Sequence, residues 1–347
     1  MAGAGKPMAA RRGRGGLDVA LVAGVAAALA ATAMVLAQAR GRGEAEGPLV
    51  SKDPTLPEMA FLFGRQGGGP GEFGGPFGVR VGEGGRILVA DDLGHRISVF
   101  GPDGTFLRSL GREGTGPGEV AWVDAVDPAG DGLLFVADTG NNRIQVWDGD
   151  GRFVREFGRA VRPPERPLRN PRDVRVDRLA GEVYVADFNG QRVAVFDRRG
   201  TFLRSIGRQG AGEGELDGPV QLALGGDGHV YVSDSRNHRI QVFDRQGAFV
   251  RTLAARGRAV LAHPQGLAFG ASGLLYVVDH AGHRVQVLEP PGGELVRTLG
   301  RRGRGPGELE HPTTLAFSAD GSLLFVVDQG NHRVQAWRSP EPREAGE

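Results

Sequence analysis

VADDLGHRISVF, at residues 89–100, is the first of six copies of one pattern, in which an apolar run ends in Asp and an Arg follows five residues later. The other copies are VADTGNNRIQVW (136–147), VADFNGQRVAVF (185–196), VSDSRNHRIQVF (232–243), VVDHAGHRVQVL (277–288) and VVDQGNHRVQAW (326–337). Successive copies begin 45 to 49 residues apart. A constant spacing of this size indicates one supersecondary unit that is repeated six times.

Each repeat contains four short segments with the composition of β-strands, which we name A to D in chain order. In the first repeat they are FGVRV (77–81), RILVAD (86–91), RISVF (96–100) and TFLRSLG (105–111). Short turns that contain Gly, Asp or Asn separate them. Four antiparallel strands at this period are typical of a β-propeller blade, so the sequence predicts an all-β, six-bladed propeller.

The two ends of the repeat region predict how the ring closes. The last copy has no strand D after Trp337, whereas MAFLFGR at 59–65 aligns with the end of the strand D segment at 106–112. The N-terminal segment is therefore expected to complete the last blade, which removes the open sheet edges. This gives a propeller at 59–338, followed by a disordered tail at 339–347.

Two further motifs connect these repeats with a known family. NHRIQVFD at 237–244 and the linkers GREGTGPGE at 111–119 and GRRGRGPGE at 300–308 resemble the NHL repeat family of six-bladed propellers. The resemblance implies several activities, because similar propellers serve as protein- and RNA-binding modules, as extracellular sensor domains of membrane kinases, and as enzymes such as peptidyl-amidoglycolate lyases. The fold alone does not choose among them.

The composition excludes several kinds of site and partner. The chain has 347 residues with a formal net charge of +1, 59 Gly, 21 Pro and no Cys. Disulfides, thiolate catalysis and thiolate zinc sites are excluded. The near-zero charge gives no global field that would attract nucleic acid, so no nucleic-acid partner is predicted. A monomeric propeller is the expected assembly.

The N-terminal region predicts attachment to a membrane. Val19 to Ala39 is a run of 21 uncharged residues, which as a helix would extend about 31 Å, enough to cross a bilayer. Basic residues precede the run, which indicates that residues 1–16 stay in the cytosol. We therefore expect a single transmembrane helix, a signal-anchor at 17–39, followed by a linker at 40–58.

An alternative interpretation of this segment is a signal peptide. Ala37-Gln38-Ala39 fits a cleavage motif, and cutting after Ala39 would release a soluble, exported propeller. The length of the apolar run favours the uncleaved anchor. Both interpretations place the propeller on the extracytoplasmic side, in the periplasm or at the cell surface.

The residues that recur in every repeat are expected to serve the fold. A carboxylate and a guanidinium at the two ends of the B–C turn can form a charge-assisted hydrogen bond that fixes the turn. We predict this structural role for six pairs: Asp91 and Arg96, Asp138 and Arg143, Asp187 and Arg192, Asp234 and Arg239, Asp279 and Arg284, and Asp328 and Arg333.

The residues that differ between repeats are candidates for recognition. Because the strands alternate in direction, the D–A linkers and B–C turns share one face of the propeller, and these longer loops carry most of the variation. The start of strand A then surrounds the mouth of the central channel. The candidate ligand-binding residues there are Phe77, Trp122, Arg172, Asp173, Gln221, His263, Gln265, His311 and Thr314.

Signs of catalysis are weak. His263, His280, His283, His311 and His332 fall on the same predicted face, and three converging imidazoles could hold zinc. However, His283 and His332 belong to the repeat, and the nucleophile elbow, the phosphate-binding loop and the HExxH motif are absent from the sequence. We predict no catalytic residues, no metal and no cofactor.

The sequence thus predicts a non-catalytic, membrane-attached propeller that binds a protein, peptide or glycan partner on its D–A/B–C face. The alternative is a metal-dependent lyase or lactone hydrolase with its site at the channel mouth.

Overall fold

A computed structural model describes residues 56–159, 166–253, 261–290 and 292–339. The predicted segments at 1–16 and 17–39, most of the linker at 40–58, and the tail after Ser339 lie outside these residues. Within the described ranges the helices are single 3₁₀ turns of three residues, at Glu83–Gly85, Thr139–Asn141, Ser235–Asn237 and Gln329–Asn331. Helices that are long and apolar enough to cross a bilayer do not occur in these ranges.

The described residues form six four-stranded antiparallel sheets, one for each repeat, and two short two-stranded parallel sheets within D–A linkers. The strands are β1 (Met59–Phe63), β2 (Pro76–Val81), β3 (Ile87–Asp91), β4 (Arg96–Phe100), β5 (Phe106–Leu110), β6 (Val123–Pro128), β7 (Leu133–Asp138), β8 (Arg143–Asp148), β9 (Phe153–Phe157), β10 (Pro171–Asp177), β11 (Glu182–Asp187), β12 (Arg192–Asp197), β13 (Phe202–Ile206), β14 (Arg208–Gln209), β15 (Glu215–Leu216), β16 (Pro219–Leu224), β17 (Val230–Asp234), β18 (Arg239–Phe243), β19 (Phe249–Leu253), β20 (Pro264–Phe269), β21 (Leu275–Asp279), β22 (Arg284–Glu289), β23 (Glu294–Leu299), β24 (Arg301–Arg302), β25 (Glu308–Leu309), β26 (Pro312–Phe317), β27 (Leu323–Asp328) and β28 (Arg333–Arg338). The all-β, six-bladed architecture is confirmed.

The ring closes through the N-terminal strand, as the repeat alignment predicts. β1 pairs antiparallel with β28, and Phe63 lies opposite Val334 and Met59 opposite Trp337. The sixth blade therefore has the order β1-β28-β27-β26, in which the outer strand comes from the start of the repeat region. Pairing the two ends of the region places β28 in the interior of its sheet, with β1 as the outer strand.

The hydrophobic core lies between adjacent blades and consists of six clusters, one at each blade interface. Strand B is covered on both sides, which explains its nearly continuous apolar sequence. The innermost strands approach so closely that they require glycine at two positions. A Cβ atom at Gly78 would lie 2.3 Å from the carbonyl oxygen of Asp124, and one at Gly266 would lie 2.7 Å from Cα of Thr314.

All six Asp–Arg pairs form in the structure. The six Asp side chains are fully buried, and the Arg Nε atoms lie 2.6 to 3.4 Å from one carboxylate oxygen. The same guanidinium groups also reach the D–A linkers, since Arg239 donates through Nη2 to the carbonyl oxygens of Gly212 and Glu215. The pair therefore fastens a B–C turn to the linker beside it in five blades, through Arg96, Arg143, Arg192, Arg239 and Arg333.

Candidate functional site

The D–A linkers and the B–C turns lie side by side on one face of the propeller. Asn141, in a B–C turn, donates through Nδ2 to the carbonyl oxygen of Gly114 at 2.8 Å. The equivalent Asn237 donates to Gly210 at 2.9 Å. These contacts place a B–C turn beside the D–A linker that leads into its blade, on the face where the candidate residues were predicted.

A repeated hydrogen bond joins neighbouring blades on this face. The last residue of a B–C turn accepts, through its side chain, the backbone N–H of the residue that starts the next blade. His95 accepts from Trp122 at 3.2 Å, and both residues have positive φ, 49° and 52°. Four further bonds of this kind link Asn142 to Asn170, Gln191 to Gly218, His238 to His263, and His283 to His311.

The sixth interface, where the ring closes, lacks this bond. Nδ1 of His332 is buried and has no hydrogen-bond partner among the described residues. In the first blade, the backbone N–H of Gly75 donates instead to Asp91 at 2.7 Å. The histidines at the ends of the B–C turns therefore connect blades, as the repeat indicates for His95, His238 and His283.

The nine predicted mouth residues lie at two depths. Phe77, Asp173, Gln221 and Thr314 are buried inside the channel. Arg172 and Gln265 are half-buried, and His263 and His311 are exposed above them. Trp122 is also exposed, with 53% of its surface accessible to solvent. The first group forms contacts within the protein, and only the second group faces solvent.

Hydrogen bonds between blades cross the channel at the deeper level. Arg80 of the first blade donates through Nη2 to Asp173 of the third at 3.1 Å, and Arg175 donates to the other oxygen of Asp173 at 3.1 Å. On the opposite side, Gln221 donates to the hydroxyl of Thr314 at 2.7 Å. The channel is thus filled by polar side chains that hold the blades together.

The charges in this network are confined to blades one to three. Burial raises the pKa of Asp127, and it lowers the pKa of Arg80 to about 10, an effect to which the charge of Arg175 contributes. Blades four to six contribute neutral groups, including Gln221 and Thr314, at the same level. Desolvation is the main cause of both shifts, because a charged group loses hydration energy in the interior.

Above this level, Arg172 lies between two aromatic rings. Its Cζ atom is 5.3 Å from the ring centre of Phe77 and 4.8 Å from that of Phe188. Its Nε atom lies 3.3 Å from Oδ2 of Asp124 and 3.3 Å from Oδ1 of Asn170. Across the described ranges, the two terminal nitrogens of Arg172 make no hydrogen bond. The side chain is held in place while the end of its guanidinium remains free.

Two acidic side chains accompany Arg172. Burial raises the pKa of Asp92 to about 6 and that of Asp124 to about 8, while the charge of Arg172 opposes both shifts. Each carboxyl group has one buried oxygen, Oδ1 of Asp92 and Oδ2 of Asp124, without a hydrogen-bond partner in the described part of the chain. Perturbed carboxyl groups around a partly free cation are typical of functional sites.

Sequence reasoning missed one position that helps to build this mouth. The residue directly after the repeat Asp differs in every copy: Asp92, Thr139, Phe188, Ser235, His280 and Gln329. Asp92 and Phe188 neighbour Arg172, and His280 stacks near His311 with ring centres 5.2 Å apart. Comparing the copies column by column would have identified this position, because an invariant Asp precedes a variable residue.

A group of histidines occupies the other side of the mouth. His283 and His311 have ring centres 4.4 Å apart, and His238 and His263 are 4.6 Å apart. Burial lowers the pKa of His283 and of His280, and the neighbouring His311 adds to both shifts. These two imidazoles are therefore mainly neutral at pH 7.

His283, Glu310 and His311 place one potential metal-ligand atom each within 4.8 Å of one another. The arrangement does not fit a preformed metal centre. Nδ1 of His283 already accepts the backbone N–H of His311 at 3.1 Å, so in the neutral ring the proton lies on Nε2, which is then a donor. The carboxylate of Glu310 is held by Arg302 at 3.2 Å.

Comparison with known proteins supports the repeat assignment. The sequence model described as "NHL repeat" matches residues 168–196, 216–243 and 261–288, in the third, fourth and fifth blades. Protein lin-41 of Caenorhabditis elegans is 36% identical over 66 residues, which are 19% of this chain. The chain spans about 5% of the length of that protein.

Solved structures with this fold share little sequence with the chain. A catalytically inactive variant of virginiamycin B lyase from Staphylococcus aureus is 18% identical with a TM-score of 0.55, over 77% of this chain and 85% of that one. Hydrazine synthase of Kuenenia stuttgartiensis is 14% identical with a TM-score of 0.55, over 86% and 99%. Identities this low support the fold alone. The chain is thus a six-bladed β-propeller that contains NHL repeats, matched in its third, fourth and fifth blades.

Proposed function

We propose that this propeller binds a protein, peptide or glycan partner on its D–A/B–C face without catalysis, and that Arg172 receives a carboxylate of that partner. NHL-repeat propellers are a common scaffold for protein interactions. The observation that carries the proposal is the free end of the Arg172 guanidinium, held between Phe77 and Phe188 at the channel mouth.

The surroundings of Arg172 suit an anionic group. A planar guanidinium with two free terminal nitrogens can bind a carboxylate through two parallel hydrogen bonds, and the aromatic rings fix its plane in advance. Asp124, with a pKa of about 8, is mainly protonated at pH 7, whereas Asp92, with a pKa of about 6, is mainly ionised and offsets part of the charge of Arg172. The exposed indole of Trp122 adds an aromatic contact of the kind that dominates binding energy in interfaces.

The experiment compares capture of a cross-linked partner by four variants of the tagged full-length chain. Arg172→Ala and Trp122→Ala are expected to reduce capture at least about tenfold, since each removes a central contact. Arg199→Ala and Leu179→Ala are matched controls, because both residues are exposed in turns of the opposite face. Equal capture by all four variants would show that the mouth is not the binding site.

We also propose that the propeller is displayed outside the cytoplasm, attached to the membrane through residues 17–39 or released after Ala39. The support is the uncharged run from Val19 to Ala39 with its basic N-terminal flank. The mass of the mature N-terminus distinguishes the two forms. A protein that keeps its N-terminus and remains in the cytosolic fraction after lysis would contradict both.

The second candidate function is a metal-dependent lyase or lactone hydrolase. One observation favours it, the approach of His283, Glu310 and His311 to within 4.8 Å. Binding a metal there requires the backbone N–H of His311 to lose its acceptor and Glu310 to leave Arg302, which makes this the weaker candidate. Metal analysis of the purified chain tests it, because stoichiometric zinc or calcium would favour the enzyme.

A further inference from the structure

A row of three side chains in each blade faces the next blade, and in five of the six blades this row begins with an aromatic ring. The ring lies in strand B and pairs with Val or Ala in strand C. That residue in turn pairs with Arg or Phe in strand D. The five rings, Phe135, Tyr184, Tyr231, Tyr276 and Phe325, are all fully buried. They fill the space between adjacent blades.

The first blade is the exception. Its row is Leu88, Val99 and Arg108, so a leucine stands where the other blades have a ring. The residue of the second blade that faces this row is also small. It is Pro128, at the position that Phe269 and Phe317 hold in the fifth and sixth blades. Those two phenylalanines stack on Tyr231 and Tyr276 at 4.9 and 5.0 Å.

The two smaller side chains leave an apolar crevice of about 70 Å³ between the first two blades. Leu88, Val99, Leu110, Pro128 and Leu134 line it. It is adjacent to a wider groove of about 520 Å³ that is bordered by Leu107 and Arg108, and both cavities share Arg86. The crevice therefore opens to solvent on the side of the A–B and C–D turns, opposite the channel mouth.

The other blades show which chemistry this space accepts. In the third blade, Arg204 lies over the ring of Tyr184 at 5.9 Å and donates to its hydroxyl oxygen at 3.2 Å. In the fourth, Arg251 does the same for Tyr231, at 5.9 and 2.9 Å. Arg108 occupies the equivalent position in the first blade, where Leu88 stands in place of the ring and none of the described aromatic rings lies beneath the guanidinium.

At the rim of the crevice, the first blade has a basic residue where the third blade has an acidic one. Arg86 stands where the third blade has Glu182, which accepts a hydrogen bond from the hydroxyl group of Tyr184 at 2.7 Å. Within the described residues, the exposed side chain of Arg86 has neither a hydrogen bond nor an ion pair. Arg108 is held by Asp150 at 3.2 Å. The rim thus carries Arg86, which has no ion pair in the described ranges, together with the acidic Glu83, which lines the same crevice.

We propose that the crevice between the first and second blades binds a tyrosine side chain of a partner polypeptide, with an acidic residue of the same segment facing Arg86. The partner's ring enters the space that the smaller Leu88 and Pro128 leave open, and its hydroxyl oxygen accepts a hydrogen bond from Arg108. Ring burial supplies the affinity and the Arg86 contact supplies charge selectivity. This site is independent of the one proposed at the channel mouth.

The first test titrates p-cresol, the side chain of tyrosine, into the full-length chain with ¹³C-labelled Leu and Val methyl groups. Saturable shifts are expected at Leu88, Val99, Leu110 and Leu134, with a dissociation constant of about 1 mM for a ligand of eight heavy atoms. Leu88→Tyr fills the crevice from within and is expected to abolish these shifts. Leu203→Tyr, at an exposed position in the third blade, should leave them unchanged.

The second test uses the peptide N-acetyl-Tyr-Glu-amide with the wild-type chain and with Arg86→Glu. The variant is expected to bind the peptide at least fivefold more weakly while p-cresol binds equally well to both. Absence of methyl shifts at the crevice in the wild-type chain would overturn the proposal, and this outcome does not depend on whether Leu88→Tyr folds. Equal peptide affinity for both chains would overturn the role of Arg86.

Discussion

Arg80 in the first blade and Asp173 in the third are joined by a buried hydrogen bond of 3.1 Å across the central channel. The two residues are 93 positions apart in the sequence, and neither belongs to the motif that all six blades share. The pair therefore connects parts of the ring that the repeat itself does not connect. Asp173 is fixed further by the backbone N–H of Leu222 at 2.9 Å, so it joins three blades.

Replacing Arg80 by Met should lower the free energy of unfolding by about 2 kcal/mol, because it removes a buried hydrogen bond between charged groups, while Asp173 keeps Arg175 as a partner. Urea denaturation of the full-length chain measures the change. Arg65→Met is the control, since the Arg65–Glu72 pair is exposed, and a pair of this kind contributes at most about 1 kcal/mol. Equal effects of the two substitutions would mean that the channel pair does not stabilise the ring.

Asp124 should make the propeller less stable as the pH rises. Burial raises its pKa to about 8 from an ordinary value of 3.8, so between these values the folded chain holds a proton that the unfolded chain has lost. The stability that this group contributes is complete below about pH 4 and is lost as the pH rises towards 8. Asp124→Asn should therefore flatten the decrease in melting temperature between pH 5 and pH 8.

A matched substitution separates this effect from a general loss of charge. Asp103 is exposed, and hydrogen bonds from Thr105 lower its pKa, so Asp103→Asn should leave the profile between pH 5 and pH 8 unchanged. A profile for Asp124→Asn with the wild-type slope would show that Asp124 is ionised in the folded protein throughout this range.

Arg143 should not tolerate replacement by Lys, although the charge is conserved. Its guanidinium donates to Asp138 at 2.6 Å, to the carbonyl oxygens of Gly116 and Glu119 at 2.8 Å each, and to Glu156. A lysine ammonium cannot reach all four acceptors from one position. We expect a loss of about 2 kcal/mol, because buried acceptors remain unsatisfied.

The control for this substitution is Arg152→Lys. Arg152 is exposed and pairs with Asp150 at 3.0 Å, so the change should alter the free energy of unfolding by less than about 0.5 kcal/mol. Chemical denaturation of both variants gives the comparison. A small effect at Arg143 would mean that the repeated Asp–Arg pair is dispensable for the fold.

The repeat itself made most of the fold predictable. Six copies of one pattern give the blade number, and the missing strand D after Trp337 indicates that residues 59–63 close the ring. The pairs formed by the repeat Asp and Arg are local, since they span one turn, and a local pattern can be recognised without knowing the fold. The N-terminal segment at 17–39 lies outside the described residues, so its membrane-spanning helix remains a prediction.

The candidate site was less predictable, because it depends on which blades face each other across the channel. Sequence reasoning grouped Asp173, Gln221 and Thr314 with the mouth residues, whereas the structure buries them in hydrogen bonds between blades. Asp92 and Phe188 were missed because they follow an invariant residue in a turn that we treated as structural. The crevice beside Leu88 was missed for a related reason, since it lies on the face opposite the D–A linkers and B–C turns, where the sequence varies most.

The closure by β1 gives a last prediction. Phe63 is buried against Phe100, with ring centres 4.6 Å apart, whereas Leu62, its neighbour in the same strand, is 42% exposed. Phe63→Ala should lower the free energy of unfolding by about 3 kcal/mol, because it leaves a cavity at the interface of the last and first blades. Leu62→Ala, the control, should cost less than about 1 kcal/mol.

Hydrogen exchange locates the effect. If β1 fastens the ring, weakening it should speed amide exchange in β28, to which it pairs, more than in β18, the equivalent strand of the fourth blade. Local opening of this kind appears before global unfolding, because the sixth blade then depends on contacts from one side only. Uniform acceleration in all blades would indicate instead that the ring opens as a single cooperative unit and that the junction is no weaker than the other interfaces.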